Sequence, residues 1–182
     1  KSFLINDPSE GIGTNFNSEE VRKWKNLFLP PDLTRGIFSF IIEHTHGSLP
    51  KPDLSNPSVI SELDHLVINT NDADGFIKIY KDVFNIRLAL DKHIDHWDKR
   101  MLFFRLNKTT IEVVESKDEK EPSDSLWGLA WEVDNIDEAH KRLSADGIEV
   151  TSVKNGVKEN TKVITVKSHC HGVPTLLIEH LN

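Results

Sequence analysis

Apolar residues follow two kinds of pattern along this chain, and their order is informative. Leu63-Asp64-His65-Leu66-Val67-Ile68-Asn69 is a short run with apolar residues on both sides, as expected for a strand covered by a helix. After Asn71 or Asp72, either of which suits a helix N-cap, the period changes. Phe76, Ile77, Tyr80, Val83 and Phe84 fall on one face at 3.6 spacing and predict a helix over Ala73–Phe84. Strand patterns return at about Arg87–Leu90, Met101–Leu106 and Thr110–Glu115, with Asn107-Lys108 as a two-residue hairpin turn between the last two.

The order βαβββ then recurs. A shift of 63 positions carries His65 onto Gly128 and the first helix onto Ile136–Gly147. Trp127–Val133 becomes the second opening strand, and Asp134 or Asn135 the second cap. Ile136, Ala139, His140 and Leu143 form the inner helix face, and Gly147 the left-handed stop. Strands are expected at about Ile148–Val153, Thr161–Lys167 and Pro174–Leu181, and the acidic stretch Ser116–Ser125 reads as the loop between the halves. The predicted fold class is α+β, with paired βαβββ modules.

A second repeat, at a shift of 136, matches Gly36-Ile37-Phe38-Ser39-Phe40-Ile41-Ile42-Glu43-His44 to Gly172-Val173-Pro174-Thr175-Leu176-Leu177-Ile178-Glu179-His180. On this pattern residues 1–47 read as the tail of a preceding unit. Residues 48–61, with Pro50, Pro52 and Pro57, read as a stiff polar linker, and 62–182 as the two-module unit. Two strand-like runs within Trp24–Glu43 have no helix of their own. A two-stranded piece is marginal in water, so they are expected to pair with a sheet from a missing N-terminal segment or from a second chain in a homodimer.

Composition narrows the function classes. With 37% hydrophobic and 28% charged residues the chain is globular rather than disordered. A net charge of −7 argues against nucleic acid as a partner. No apolar run approaches the roughly 18 residues of a membrane helix. The single cysteine, Cys170, allows no intrachain disulfide and, with no signal peptide visible, points to a cytoplasmic setting. The first residue is Lys1 and the one methionine is Met101, so a preceding segment is expected. Nucleophile elbows, phosphate loops and paired-cysteine zinc signatures do not occur.

The arrangement of His65 on a first strand, Glu112 on a later one and the weaker second copy resembles the vicinal oxygen chelate superfamily of glyoxalase I, bleomycin-resistance proteins and extradiol dioxygenases. Leu29-Pro30-Pro31-Asp32-Leu33-Thr34-Arg35-Gly36 and Leu126-Trp127-Gly128-Leu129-Ala130-Trp131 resemble a tandem glyoxalase-like subgroup. The resemblance implies one divalent metal (zinc, nickel, manganese or iron) held by four side chains, one on the first and one on the last strand of each half. His65 and Glu112 match two of these positions. Gly128 and Leu176 stand at the other two, so the resemblance implies a weakly held ion or none.

Each candidate has a structural alternative. Strand alternation places His65 on a face with Leu63, Val67 and Asn69, as a metal or substrate ligand or as a histidine held by a polar neighbour. Glu112, flanked by Thr110 and Val114, reads as a catalytic carboxylate and metal ligand, or as an ion-pair partner of Arg105 or Arg87. Asn69, Arg105, Gly128, Ala130 and Glu132 are expected to line a substrate pocket, which Gly128 would enlarge. Trp127 and Trp131 read as core. His169-Cys170-His171 is a second possible metal cluster, and His93 and His96 a lid or a solvated loop. Glu43-His44 and Glu179-His180 suit a structural edge as well as chemistry. The readings are a glyoxalase-like lyase or isomerase acting on a small oxygen-rich molecule, a metal-free small-molecule binding module, or an extradiol-type dioxygenase, which would want a second histidine.

Overall fold

The structure is a computed structural model that describes residues 6–50, 54–116 and 121–181. The side chain of His96, one of the two expected lid histidines, lies outside that description. The chain divides into two compact units, Lys1–Lys51 and Pro52–Asn182.

The first unit is an antiparallel sheet of β1 (Ser9–Thr14), β2 (Val21–Phe28) and β3 (Phe40–His46), in that order, with a short helix α1 (Pro31–Thr34) between the last two strands. The sequence predicts two strands here. The partner they find is β1, from this chain's own Ser9–Thr14, which has a single apolar residue among its six. Its glycines are what fit it to the sheet: Gly11 pairs with Trp24, and a Cβ at Gly11 would overlap the Trp24 indole. Leu33, Thr34 and Ile37 are buried, whereas β3 is exposed along its whole length. Phe28, Phe38 and Phe40 cluster on this unit with ring centroids 5.6–6.2 Å apart.

The second unit is one eight-stranded sheet. Its first half comprises β4 (Ile60–Thr70), α2 (Ala73–Ile77, continued as a π-helical turn over Lys78–Val83), β5 (Arg87–Ile94), β6 (Lys99–Leu106) and β7 (Thr109–Glu115). The second half comprises β8 (Asp124–Val133), α3 (Ile136–Ala145), β9 (Lys154–Asn155), β10 (Thr161–Val166) and β11 (Thr175–His180). The order β5-β6-β7-β4-β8-β11-β10-β9 places β4 and β8 antiparallel at the centre, with β7 parallel to β4 and β11 parallel to β8. This is the paired βαβββ arrangement. Its register carries the 63-residue shift: His65 pairs with Ala130 and Val67 with Gly128, and the ladder skips Asp64 on one strand and Trp127 on the other. The bulges at Asp64 and Trp127 are themselves 63 positions apart, and a third irregularity skips Ser61.

The bulges correct the alternation read from the sequence. Leu63 pairs with Trp131, which packs against the core beneath α3, so Leu63 lies on the helix-covered face and not with His65. Trp131 is core, as expected; Trp127, displaced by its bulge, is half exposed. On the helix-covered face Phe76, Tyr80 and Phe104 pack in the first half, and Ile136, Ala139, Val133, Ile164 and Leu177 in the second. Phe76 and Tyr80 stack with centroids 3.9 Å apart. The widened turn after Ile77 was not legible, because apolar residues at 76, 80 and 84 suit i→i+4 and i→i+5 bonding equally well.

Further differences are local. Asp72 and Asn135 are the caps, accepting from the backbone N–H of Gly75 and Glu138. The strand expected over Ile148–Val153 is reduced to a bridge between Val150 and Val166, where the Thr151 hydroxyl takes the Thr165 N–H that a ladder would use. His93 belongs to β5 rather than a loop, and its ring lies between Asp95 and Asp98. Residues 56–59, read as linker, pack on the second half: Arg142 donates to the Ser58 hydroxyl and carbonyl, and Asn135 N–H to the Pro57 carbonyl. Among the described residues no helix is long and apolar enough to cross a membrane.

Candidate functional site

Register locates the candidate side chains on the face away from the helices. Thr110, His65 and Ala130 form one row across β7, β4 and β8, and Glu112, Val67 and Gly128 form the next. Glu112 is therefore a diagonal neighbour of His65, within reach of long side chains. This face is closely packed around them, since Val67, Met101, Ala130, Val163 and Ile178 are all buried.

Asp64 organises the site. The bulge turns it to the same side as His65, and its Oδ1 lies 2.6 Å from His65 Nδ1. Its Oδ2 lies 2.7 Å from His180 Nε2, at the end of β11. One carboxylate thus bridges two imidazoles, and both hydrogen bonds favour its ionised form. They hold the Asp64 carboxyl down at about 2, the bond to His65 contributing most and burial opposing it. Because a carboxylate only accepts, the His65 proton facing it sits on Nδ1, and Nε2 is the ring atom left for a ligand.

Glu112 is half-buried, and burial pushes its carboxyl above the usual carboxylate range; His65 opposes the shift and Asp64 adds to it. The ion pair considered from the sequence does not form: among the described residues neither Arg105 nor Arg87 bonds to it. Arg105 is exposed and donates to the Thr110 hydroxyl 2.9 Å away. Glu132 carries a carboxyl that burial also raises, with Glu62, Asp64 and Asp134 adding to the rise and His180 opposing it. Asn69 is half-buried between Val114 and Ser125.

The reading of Gly128 as an opening in a pocket is corrected. A Cβ there would lie 2.8 Å from the Pro174 carbonyl oxygen, which accepts from Leu129 N–H. Gly128 lets the start of β11 approach β8, and Pro174 occupies the space. The four-ligand metal arrangement therefore does not fit this chain: neither Gly128 nor Leu176 bears a donor, and there is no room at 128 for one. His169, Cys170 and His171 do not converge either. His169 and His171 adopt left-handed backbone conformations, with φ of 63° and 51°, and the Cys170 thiol faces backbone carbonyls of Val166 and Ser168. A depression of about 290 Å³ lies beside them, and another of about 350 Å³ lies against Trp24 in the first unit; neither is lined by His65 or Glu112.

Asp64 and His180 are the site residues that alternation missed. Plain alternation sends Asp64 to the helix side, and only the bulge reverses it. The legible signal was the Leu-Asp-His order falling on Leu-Trp-Gly at the 63-residue shift. Glu179, by contrast, is structural: its Oε2 accepts from Ile136 N–H as Glu115 Oε1 accepts from Ala73 N–H.

A family profile described as Glyoxalase/Bleomycin resistance protein/Dioxygenase superfamily matches residues 64–165. No curated protein matches the chain. Among solved structures, methylmalonyl-CoA epimerase from Mycobacterium tuberculosis is similar at 20% identity over 68% of this chain and 90% of that one, with a TM-score of 0.54. A hypothetical protein from Bacillus halodurans C-125 matches at 17% identity over 66% and 95%, with a TM-score of 0.55. A variant of the Streptomyces coelicolor methylmalonyl-CoA epimerase in complex with 2-nitronate-propionyl-CoA matches at 15% identity over 68% and 100%, with a TM-score of 0.54. At these identities the likeness establishes the fold.

Proposed function

The chain belongs to the glyoxalase/bleomycin resistance protein/dioxygenase superfamily, and from that premise we propose that its second unit binds a small, oxygen-rich acyl compound beside His65 and Glu112 and moves a proton on it. The observation that carries this reading is the state of Glu112. It is a half-buried carboxylate without an ionic partner among the described residues, raised by burial, and diagonal to an imidazole whose other nitrogen is fixed by Asp64. Raising a carboxyl toward neutrality makes its conjugate base strong enough to take a proton from carbon next to a carbonyl. The electron pair of the broken C–H bond moves onto the carbonyl oxygen, and return of the proton to carbon completes the cycle. The His65 imidazole is placed to exchange a proton or a hydrogen bond with the bound molecule through Nε2. Two of the similar structures are epimerases of an acyl thioester, methylmalonyl-CoA, and epimerisation removes and restores one proton at a carbon centre; this supports an acyl substrate class.

The test is incorporation of solvent deuterium, read by mass spectrometry, into a panel of short acyl thioesters and 2-substituted carbonyl acids. Glu112→Gln is expected to slow exchange by about 100-fold or more, within the usual contribution of a general base. Exchange at equal rates in the two proteins would remove Glu112 from the reaction. A second reading, a binding module without chemistry, is favoured by Gly128 and Leu176, which offer no donor at either matching position of the second half. It predicts saturable binding of a panel compound with no exchange in wild type.

A further inference from the structure

We propose that Asp64, Glu132 and His180, brought together from β4, β8 and β11, form a site for one divalent first-row transition-metal ion, distinct from the four-ligand position that Gly128 and Leu176 leave without donors. One donor atom from each of the three residues lies within 4.8 Å of the other two. Asp64 Oδ2 and His180 Nε2 are 2.7 Å apart. Two donors on one ion at about 2.0–2.2 Å sit only slightly farther apart than this, so small side-chain adjustments suffice. The three strands are hydrogen-bonded neighbours at the sheet centre, which holds the donors on rigid backbone.

Charge points the same way. Glu62 pairs directly across from Glu132, and Asp64 and Asp134 also act on it. Three carboxylates therefore press on the Glu132 carboxylate, and one imidazole, His180, opposes them. Lys108 reaches Glu62 at 3.1 Å, and no cation among the described residues reaches Glu132. A divalent ion would relieve that repulsion. Asp64 and His180 side chains keep 18% and 27% of their exposure, so an ion can reach them from solvent.

The other half of the module is built without such a set. At the 63-residue shift of the opening strands Asp64 and Glu132 fall on Trp127 and Asn69, and at the 64-residue shift that matches Glu115 with Glu179 on the last strands His180 falls on Ser116, so the other half offers no metal-binding set. The donors break the pseudo-symmetry at one place only, as a site would and a structural requirement of the fold would not. Two carboxylate oxygens with one imidazole nitrogen suit zinc, manganese or iron(II), with water completing the shell. Asp64 Oδ1 remains on His65 Nδ1, so the ligating carboxylate is itself oriented by a hydrogen bond. For His180 Nε2 to bind an ion, the proton it places toward Asp64 moves to Nδ1, and the bond to Asp64 Oδ2 is replaced by the two bonds to the ion.

The experiment is a calorimetric titration of zinc chloride into the chelator-treated full chain. One ion per chain is expected, with Glu132→Gln and His180→Gln each weakening binding about tenfold or more, and His169→Gln and His171→Gln leaving it unchanged. Manganese added to wild type is expected to broaden the His180 ring resonances and leave those of His140 sharp, a readout that needs no variant. Absence of binding, binding undiminished in both Glu132→Gln and His180→Gln, or loss of binding on changing His169 or His171 would each overturn the site. None of these outcomes bears on proton exchange at Glu112, which is measured in chelator.

Discussion

Asp64 meets His65 and His180 because a single bulge turns its carboxylate from the helix side to the side of His65. Its folded-state carboxyl at about 2 against an ordinary 3.8 is a statement about stability. The folded value is depressed, so the stabilisation is fully present above about pH 4 and is lost as pH falls toward 2. A difference of this size corresponds to on the order of 2 kcal/mol. Urea unfolding of the metal-free chain at pH 6 is expected to show Asp64→Asn less stable than wild type by about that amount, and the gap is expected to shrink to roughly a third of it by pH 2.5. A gap that persists unchanged at pH 2.5 would show that ionisation is not what Asp64 contributes. At the same scale, Pro174 fills the place of the side chain that Gly128 lacks. Glycine at that position thus gives tighter packing between β8 and β11, not an enlarged pocket.

The elements repeat their end chemistry along with their order. Helices α2 and α3 each begin with a side-chain cap, Asp72 or Asn135, and each receives a second acceptor from the last strand of its own half, Glu115 or Glu179. A carboxylate at a helix start satisfies an orphan N–H and complements the positive end of the helix. Glu115→Ala and Glu179→Ala are each expected to cost about 1–2 kcal/mol in urea unfolding and to speed amide exchange at Ala73 and Ile136 respectively. Unchanged exchange at those two amides would show that the caps alone set the helix starts. The Glu-His pair shared by β3 and β11 was legible as a repeat, although it closes only β11, and its two residues have different jobs there: Glu179 caps a helix and His180 meets Asp64. Periodicity could not separate them, because the partners come from other elements.

At the scale of the whole molecule, the chain is two units with separate sheets. The second holds both halves of the paired module and the hydrogen bonds that tie Ser58 and Pro57 to its second half. Residues 52–182 expressed alone are expected to unfold in one cooperative urea transition and to keep the slow amide exchange of β4 and β8. A broad, non-cooperative transition would show that the first unit is required for its stability. What the sequence by itself determined is the βαβββ order, its repetition at 63 residues, both helix starts and the strands that carry His65 and Glu112. These rest on local signals: apolar period, cap residues and turn residues act within a few positions of one another. The tertiary structure alone decided which side chains meet. A ladder skip of one residue at Asp64 and at Trp127 reverses the faces that alternation assigns. The close approach of Pro174 takes the room left at Gly128. The meeting of Asp64 with His180, 116 positions apart, depends on β8 and β11 lying parallel beside β4, an arrangement of long-range pairing that no short window of sequence contains.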